Sequence, residues 1–349
     1  MPLDPYRLVR PLIFRLSPET AHNMTFKGGR IAQGIPGLMP LLKAICVGDI
    51  SSKALDACGL HFPSPVGLAA GLDKGAEILP LWKALGFGSV EIGTVTPKPQ
   101  PGNPLPRLFR LPEESLILNR MGFNSEGAVV VAERLKRRPR GLIVGGNIGK
   151  NKVTPEEQAL DDYREAYRLI APEVDYIALN ISSPNTPGLR RLQAPEALAP
   201  LLGGMMEIRK EMGLEAQPIL VKLAPDLAFD ELDAIVDVIA ASGVSGIIAT
   251  NTTLDRGIVS EINREKVLSW GDGGLSGKGL KLKAREVQRR IHSRLPSHLK
   301  LVACGGIGSA EDANTAMQDG AAWVQVYSAL IFEGPFLVKR MLDGMASAL

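Results

Sequence analysis

The sequence predicts an α/β protein: a closed (β/α)8 TIM-type barrel behind a small helical N-terminal segment. Three observations predict it. From Cys46 onward, eight short apolar runs recur, each bounded by turn residues. Helical patterns such as Asp161–Ala171, Phe229–Ser242 and Leu282–Arg294 separate most of them, as a parallel sheet requires. No Gly-x-Gly-x-x-Gly follows the first run, which argues against an open doubly wound sheet.

Composition agrees with a barrel-sized core. The 349 residues are 45% hydrophobic and 22% charged, with glycine and proline dispersed and no repeat or low-complexity tract. The cysteines, Cys46, Cys58 and Cys304, are odd in number and far apart, so reduced thiols are expected. The four histidines show no His-x-x-x-His spacing, and no catalytic metal is expected. A net charge of +3 is too small to imply nucleic-acid binding. Its distribution is uneven: residues 1–45 carry +4 and the remainder −1.

Taken in order, the first element is helical. Leu8, Val9, Leu12, Ile13 and Leu16 recur at helical spacing among Arg7, Arg10 and Arg15, with Pro11 starting or kinking a turn. Ser17-Pro18 reads as an N-cap with proline at the first helical position, opening a second helix through Ala21 to Ile31. Gly34–Pro40 breaks it. This basic, amphipathic pair fits a membrane-surface element and equally a helix pair packed on its own domain. Arginines and prolines interrupt it where a secretory signal would run apolar, and no apolar span of 18 residues exists to cross a bilayer. Two domains are therefore expected, residues 1–45 and 46–349. Residues 46–63 read as a short hairpin closing the bottom of the barrel. The eight strands are Val66–Leu68, Ser89–Ile92, Leu142–Val144, Tyr176–Leu179, Ile219–Leu223, Gly246–Ala249, Leu301–Ala303 and Trp323–Val326. Residues 95–118, rich in proline, read as a long insertion after the second.

In such barrels the chemistry sits at the C-terminal strand ends. Those ends hold Ala69-Ala-Gly-Leu-Asp-Lys74, Gly93-Thr94, Asn147-Ile-Gly-Lys150, the stiff polar loop Asn180-Ile-Ser-Ser-Pro-Asn-Thr-Pro187, Lys222, Thr250-Asn-Thr-Thr253, Cys304-Gly-Gly306 and Tyr327-Ser328. The insertion ends in Asn119-Arg-Met-Gly-Phe-Asn124. Asn119, Asn147, Asn180 and Asn251 thus recur at or beside strand ends, with Asn185 close by. An amide donates and accepts at once, so a ring of amides suits a flat heterocycle bearing C=O and N–H groups. Each asparagine alone could equally cap a helix or turn. Lys74 and Lys222 are cations in an otherwise apolar barrel and need an anion: a carboxylate, a phosphate or a reduced flavin. Gly305-Gly306 permits close backbone approach where these barrels often hold phosphate.

With these residues in view, nearly the whole chain closely resembles dihydroorotate dehydrogenases of the membrane-associated, quinone-dependent class. The matching segments include Gly67–Lys74, Gly86–Pro97, Asn119–Asn124, Asn180–Asn185, Lys222–Asp226, Thr250–Thr253, Gly273–Gly277 and Gly305–Ile307. The resemblance implies oxidation of dihydroorotate to orotate in pyrimidine synthesis, with hydride passing to N5 of bound FMN and electrons on to a membrane quinone. It implies FMN contacts at Ala70, Gly71, Lys74, Thr94, Asn147, Asn180, Lys222 and Thr250, with the phosphate end near Gly277, Gly306, Tyr327 and Ser328. Substrate would meet Lys74, Asn119, Arg120, Met121, Gly122, Phe123, Asn180, Asn185, Asn251 and Thr252. Ser183 falls on the family's catalytic base, with Thr186 and Phe123 shaping the proton's exit. His22, Arg110 and Tyr327 match positions near the quinone head, and residues 1–45 become a membrane-surface cap with an apolar tunnel. The soluble class, which reduces fumarate or NAD, carries cysteine as base and lacks the N-terminal helices; Ser183 and residues 1–45 argue against it. A monomer on the cytoplasmic face of a bacterial inner membrane is expected.

Overall fold

The computed structural model describes residues 4–47 and 51–345. The ends of the two expected domains and residues 48–50 of the expected lead-in hairpin lie outside the described residues. The strands in chain order are β1 (Leu55–Ala57), β2 (Leu60–Phe62), β3 (Val66–Leu68), β4 (Ser89–Val95), β5 (Leu108–Leu111), β6 (Leu116–Asn119), β7 (Ile143–Ile148), β8 (Tyr176–Asn180), β9 (Ile219–Leu223), β10 (Gly246–Ala249), β11 (Gly274–Gly277), β12 (Lys300–Cys304) and β13 (Ala321–Val326). Eight of these close a parallel barrel in the order β3-β4-β7-β8-β9-β10-β12-β13. They are the eight runs the sequence marks, several one to three residues longer. The strands are buried on both faces, which is why they read as continuous apolar runs rather than alternating ones.

The helices are α1 (Pro5–Ile13), α2 (Pro18–Gln33), α3 (Leu38–Cys46), α4 (Leu79–Ala84), α5 (Ala128–Leu135), α6 (Ala159–Ile170), α7 (Pro195–Glu211), α8 (Phe229–Ala241), α9 (Glu261–Ser269), α10 (Lys281–Arg294), α11 (Ala310–Gln318), α12 (Ser328–Glu333) and α13 (Leu337–Gly344). Ser17 caps α2 as expected, its hydroxyl accepting from Thr20 N–H at 3.2 Å. α3 was not expected. Pro40 lies in its first turn, where the missing N–H breaks no helical bond. Cys46 therefore ends a helix instead of opening a hairpin. The hairpin itself, β1–β2, closes the N-terminal end of the barrel: Phe62 packs on Trp323 with ring centroids 4.7 Å apart, among Tyr176, Leu220 and Val302.

The insertion after β4 is not a plain loop. β5 and β6 form an antiparallel hairpin, and β11, from a distant part of the chain, pairs with β6 to make a three-stranded sheet. The N-terminal helices stand near the C-terminal mouth. α1 reaches α12, which begins where β13 ends: Tyr6 Oη donates to Ile331 O at 2.5 Å, Arg10 Nη1 to Phe332 O at 3.0 Å, and Arg340 pairs with Asp4 at 2.8 Å. Arg107 in the insertion pairs with Glu19 of α2 at 2.7 Å. α1 has no fully buried residue. Half of the strongly exposed large apolar side chains among the described residues lie between Leu8 and Ile45, including Leu8, Leu12, Met24, Ile31 and Leu41. No helix among the described residues is long and apolar enough to cross a membrane.

Candidate active site

The strand ends converge on one cavity of about 390 Å3. Ala70, Gly71, Asn119, Lys222, Thr250, Asn251, Thr252, Gly277, Gly306, Tyr327 and Ser328 all line it. Its floor is the top of the barrel, since Gln325 and Lys222 project from β13 and β9. Gly277, Gly305 and Gly306 adopt positive φ, and a Cβ at Gly306 would fall 2.3 Å from the Lys281 backbone. Only glycine leaves that wall open to a close-approaching group.

Beside the cavity the amides form a connected row. Asn180 Nδ2 donates to Thr94 Oγ1 at 2.8 Å, and Thr94 Oγ1 donates to Asn147 Oδ1 at 2.5 Å. Asn251 Nδ2 donates to Asn180 Oδ1 at 3.3 Å and to Ser182 Oγ at 3.0 Å. Asn185 Nδ2 donates to Asn119 O at 3.0 Å. Of the asparagines the sequence expects to act as a set, Asn147, Asn180 and Asn251 are linked through Thr94, and Asn185 with Asn119 forms a second pair.

Lys222 finds its anion within the chain. Its ammonium lies 3.2 Å from Glu91, a carboxylate in β4 with no exposed surface. Burial works against the lysine's charge, but Glu91 outweighs it and holds the pKa above the ordinary value. Sequence reasoning missed Glu91, although its signal was present: it is the only acidic residue in the eight barrel strands. Lys74 differs. Among the described residues its ammonium hydrogen-bonds Met121 Sδ, at 3.3 Å, and no carboxylate. By surface area it is partly exposed, yet protein packs densely around it. Burial, with the Arg107 guanidinium adding to it, pushes its pKa down to about 8.

Ser183 is buried, and its Oγ accepts the backbone N–H of Asn185 at 3.2 Å. Among the described residues no carboxylate or imidazole is hydrogen-bonded to it. Three residues later, the Thr186 hydroxyl is buried without a partner. The loop is held from outside by Arg190, another residue the sequence did not single out. Its guanidinium donates to Ser182 O and Thr252 O, both at 3.0 Å, and pairs with Asp226 at 2.9 Å. Asp226 is kept below the ordinary carboxylate range: burial opposes its charge, and bonds from Thr253, Leu254, Arg190 and Lys283 overcome that.

The 119–123 turn presents backbone more than side chains. Phe123 and Gly122 have positive φ, and Gln100 Nε2 holds Phe123 O at 2.9 Å. The Arg120 side chain is committed away from the cavity. It donates to Pro106 O and Trp270 O and lies 4.9 Å over the Phe109 ring. Any substrate contact by Arg120 would therefore use its main chain.

The three residues matched to a quinone head sit on separate elements. Tyr327 flanks the cavity, its hydroxyl 3.4 Å from Gly71 O, and burial raises its pKa to about 12. His22 packs on Phe26 with centroids 4.3 Å apart; burial, with Lys74 nearby, lowers its pKa to about 4. Arg110 donates to Leu16 O at 2.7 Å and stacks 4.3 Å over Phe14.

A flavin fits this donor set. The Thr250 hydroxyl is buried without a partner on the cavity wall, the glycines leave room for a phosphate, and Lys222 offers a cation at the floor. A parallel barrel with such a mouth defines a ligand-binding enzyme of the cofactor-dependent kind. The family model for dihydroorotate dehydrogenase matches residues 53–349. The chain belongs to the dihydroorotate dehydrogenase family, whose members are flavin-dependent oxidoreductases. A relative in Thermobifida fusca, "Dihydroorotate dehydrogenase (quinone)", is 47% identical over 341 residues, covering 96% of this chain and 90% of its own. One in Edwardsiella ictaluri with the same designation is 45% identical, covering 97% and 99%. A crystal structure of DHODH from Eimeria tenella in complex with ferulenol superposes with a TM-score of 0.81 at 35% identity, over 94% of this chain and 90% of that one. The quinone class is favoured over the soluble one.

Proposed function

We propose that this chain oxidises dihydroorotate to orotate with FMN as its flavin and a membrane quinone as the final acceptor, acting as a monomer at a bacterial inner membrane. The supporting observation is the strand-end cavity lined by Ala70, Gly71, Asn119, Lys222, Thr250, Asn251 and Thr252, with Ser183 tied to it through Asn185 and Asn119.

Bound FMN would supply the hydride-accepting ring. Ala70, Gly71, Lys74, Thr94, Asn147, Asn180, Lys222 and Thr250 would hold that ring, and Gly277, Gly306, Tyr327 and Ser328 its phosphate end. The chain's own work is to grip the substrate, take its proton and keep charge balanced. Asn119, Asn180, Asn185, Asn251 and Thr252, with the 119–123 backbone, would bind the planar amide edges. Among the described residues no carboxylate lies within bonding distance of Lys74, so a substrate carboxylate would supply an anion there. Ser183 would take the carbon-bound proton. With no imidazole or carboxylate bonded to it among the described residues, it is a weak base, and the partnerless Thr186 hydroxyl three residues on is suited to carry the proton onward. Lys222, kept charged by Glu91, would steady negative charge that develops at the cavity floor.

The exposed apolar stripe of α1–α3 and its positive charge support docking on an anionic membrane surface. Purified protein should be yellow, should bleach on adding dihydroorotate anaerobically, and should regain colour on adding a quinone analogue. Colour that persists with dihydroorotate would refute the activity. Bleaching without quinone-driven recovery would refute only the acceptor.

A further inference from the structure

Glu91 sits mid-strand in β4, fully buried, and accepts four hydrogen bonds, two on each oxygen. Lys222 Nζ at 3.2 Å and Asn147 Nδ2 at 2.8 Å bond Oε1. Tyr176 Oη at 3.2 Å and Gln325 Nε2 at 2.7 Å bond Oε2. Burial, and Glu91 itself, raise the Tyr176 pKa well above its ordinary value, so the phenol stays a donor. Gly145 makes this possible: a Cβ there would lie 2.1 Å from the Tyr176 ring. A carboxylate ringed by four donors acts only as an acceptor.

That fact propagates. A side-chain amide alone can sit either way round, its oxygen and nitrogen exchanged by rotation. Next to a pure acceptor, Asn147 must present its nitrogen to Glu91, so its oxygen faces Thr94 and accepts that hydroxyl proton. With its proton committed, Thr94 Oγ1 can only accept, and it does so from Asn180 Nδ2. Asn180 Oδ1 is then the acceptor for Asn251 Nδ2 and for Ser182 Oγ at 3.1 Å. Asn251 Oδ1 turns to the Thr252 N–H at 2.7 Å. Glu91 sets the sense of the links through Asn147 and Thr94, and the backbone N–H groups of Ser182, 3.3 Å from Asn180 Oδ1, and of Thr252 hold the two later amides in the same sense.

Resting on the functional reading above, we propose that Glu91 is a positioning residue for substrate recognition. Together with the Ser182 and Thr252 N–H groups it fixes which edges of Asn180 and Asn251 donate and which accept, and so selects a ring whose C=O and N–H groups alternate in the matching order. It acts through Asn147 and Thr94, and the same oxygen anchors Lys222.

The experiment uses the flavin-loaded, full-length protein, with every value referenced to bound flavin. Orotate affinity is read from the shift it causes in the flavin spectrum, alongside kcat and KM for dihydroorotate. Glu91→Gln keeps the volume but lets a nitrogen face Asn147, which sets the Asn147–Thr94–Asn180 links against the sense that the Ser182 and Thr252 N–H groups impose. Tyr176→Phe removes a donor from Oε2 and leaves the Oε1 side alone. Leu202→Ala opens a cavity in α7, outside the network, as a control for loosened packing. One misaligned buried hydrogen bond is worth about tenfold in affinity. Glu91→Gln is therefore expected to weaken orotate and raise KM by about tenfold, with a smaller change in kcat, while the other two stay within about twofold. If Glu91→Gln does not fold, Thr94→Val cuts the row one link along and must give the same loss. Unchanged affinity in Glu91→Gln overturns the proposal, as does an equal loss in all three variants. A wild-type protein whose spectrum ignores orotate overturns the functional reading itself.

Discussion

The barrel floor and the N-terminal helices treat water in opposite ways. At the floor, Glu91 and Lys222 carry full charges with almost no exposed surface, and each is satisfied by close partners. In α1–α3, by contrast, Leu8, Leu12, Met24 and Ile31 are left bare, while Arg10 donates to a carbonyl of α12 and Arg110 of the insertion donates to the Leu16 carbonyl. The first region spends polar groups where they are costly, which makes sense only if their orientation matters. The second leaves apolar groups where they are costly, which makes sense only if something else covers them. On the functional reading proposed above, the first region serves chemistry and the second docking.

The largest expected break in that contrast is at the floor's neighbour, Ser183. Ser183→Ala should retain flavin and orotate binding while turnover falls by about 10^2 to 10^4, the usual worth of a positioned base. Stopped-flow flavin reduction would measure it, and with the proposed hydroxyl base the wild-type rate should climb toward alkaline pH. A flat profile from pH 6 to 10, or full turnover in the variant, would remove Ser183 from the role. Next comes Lys222→Met, which strands the Glu91 carboxylate. Breaking a buried pair this way costs about 3–5 kcal/mol, to be read from chemical denaturation midpoints. A loss below about 1 kcal/mol would mean that water reaches the pair.

The helices should behave in the reverse sense. Leu8→Glu combined with Leu12→Glu should change folding stability by no more than about 0.5 kcal/mol per site. Retention on anionic vesicles should fall at least about tenfold, since each leucine contributes about 1.5–3 kcal/mol on burial in lipid. Reduction of a soluble dye should be unaffected. Undiminished vesicle binding would sink the docking role. The smallest effect concerns His22. Its pKa is about 4 in the folded protein against an ordinary 6.5, so the folded form holds fewer protons across that window. Stability of the N-terminal docking should then be complete above about pH 6.5 and decline as pH falls toward 4. His22→Gln should flatten that part of the profile, measured as proteolytic release of the N-terminal segment. Identical slopes in both proteins would rule it out.

How much of this was legible beforehand follows from physics. The eight barrel strands were visible because strands buried on both faces need unbroken apolar runs. Their ends were less visible, since Asn147, Asn180 and Lys300 interrupt the pattern. β11 could not be read: Gly274-Leu-Ser-Gly277 has little strand preference, and only its antiparallel partner Leu116–Asn119 makes it extended. α3 was hidden by Pro40 and the glycines before it. The strand-end asparagines were legible as a set because their repetition is improbable for mere caps. Their hydrogen-bond direction was not, since it depends on Glu91, a residue more than fifty positions before Asn147. Arg190 was invisible for the same reason: its partners, Ser182, Asp226 and Thr252, meet only in space.

The three-stranded sheet has a mechanical consequence. Its middle strand is flanked on one side by Leu108–Leu111 and on the other by Gly274–Gly277. Asn119 lies opposite Gly274, and Leu116 lies opposite Gly277. The turn that starts at Asn119 and the glycine at the far end of the cavity therefore ride on a single beam. Phe109 stacked 5.2 Å from Trp270 clamps that beam from outside. Loosening the clamp would shift both ends of the cavity together, so damage there would surface as a joint loss of grip on two different molecules.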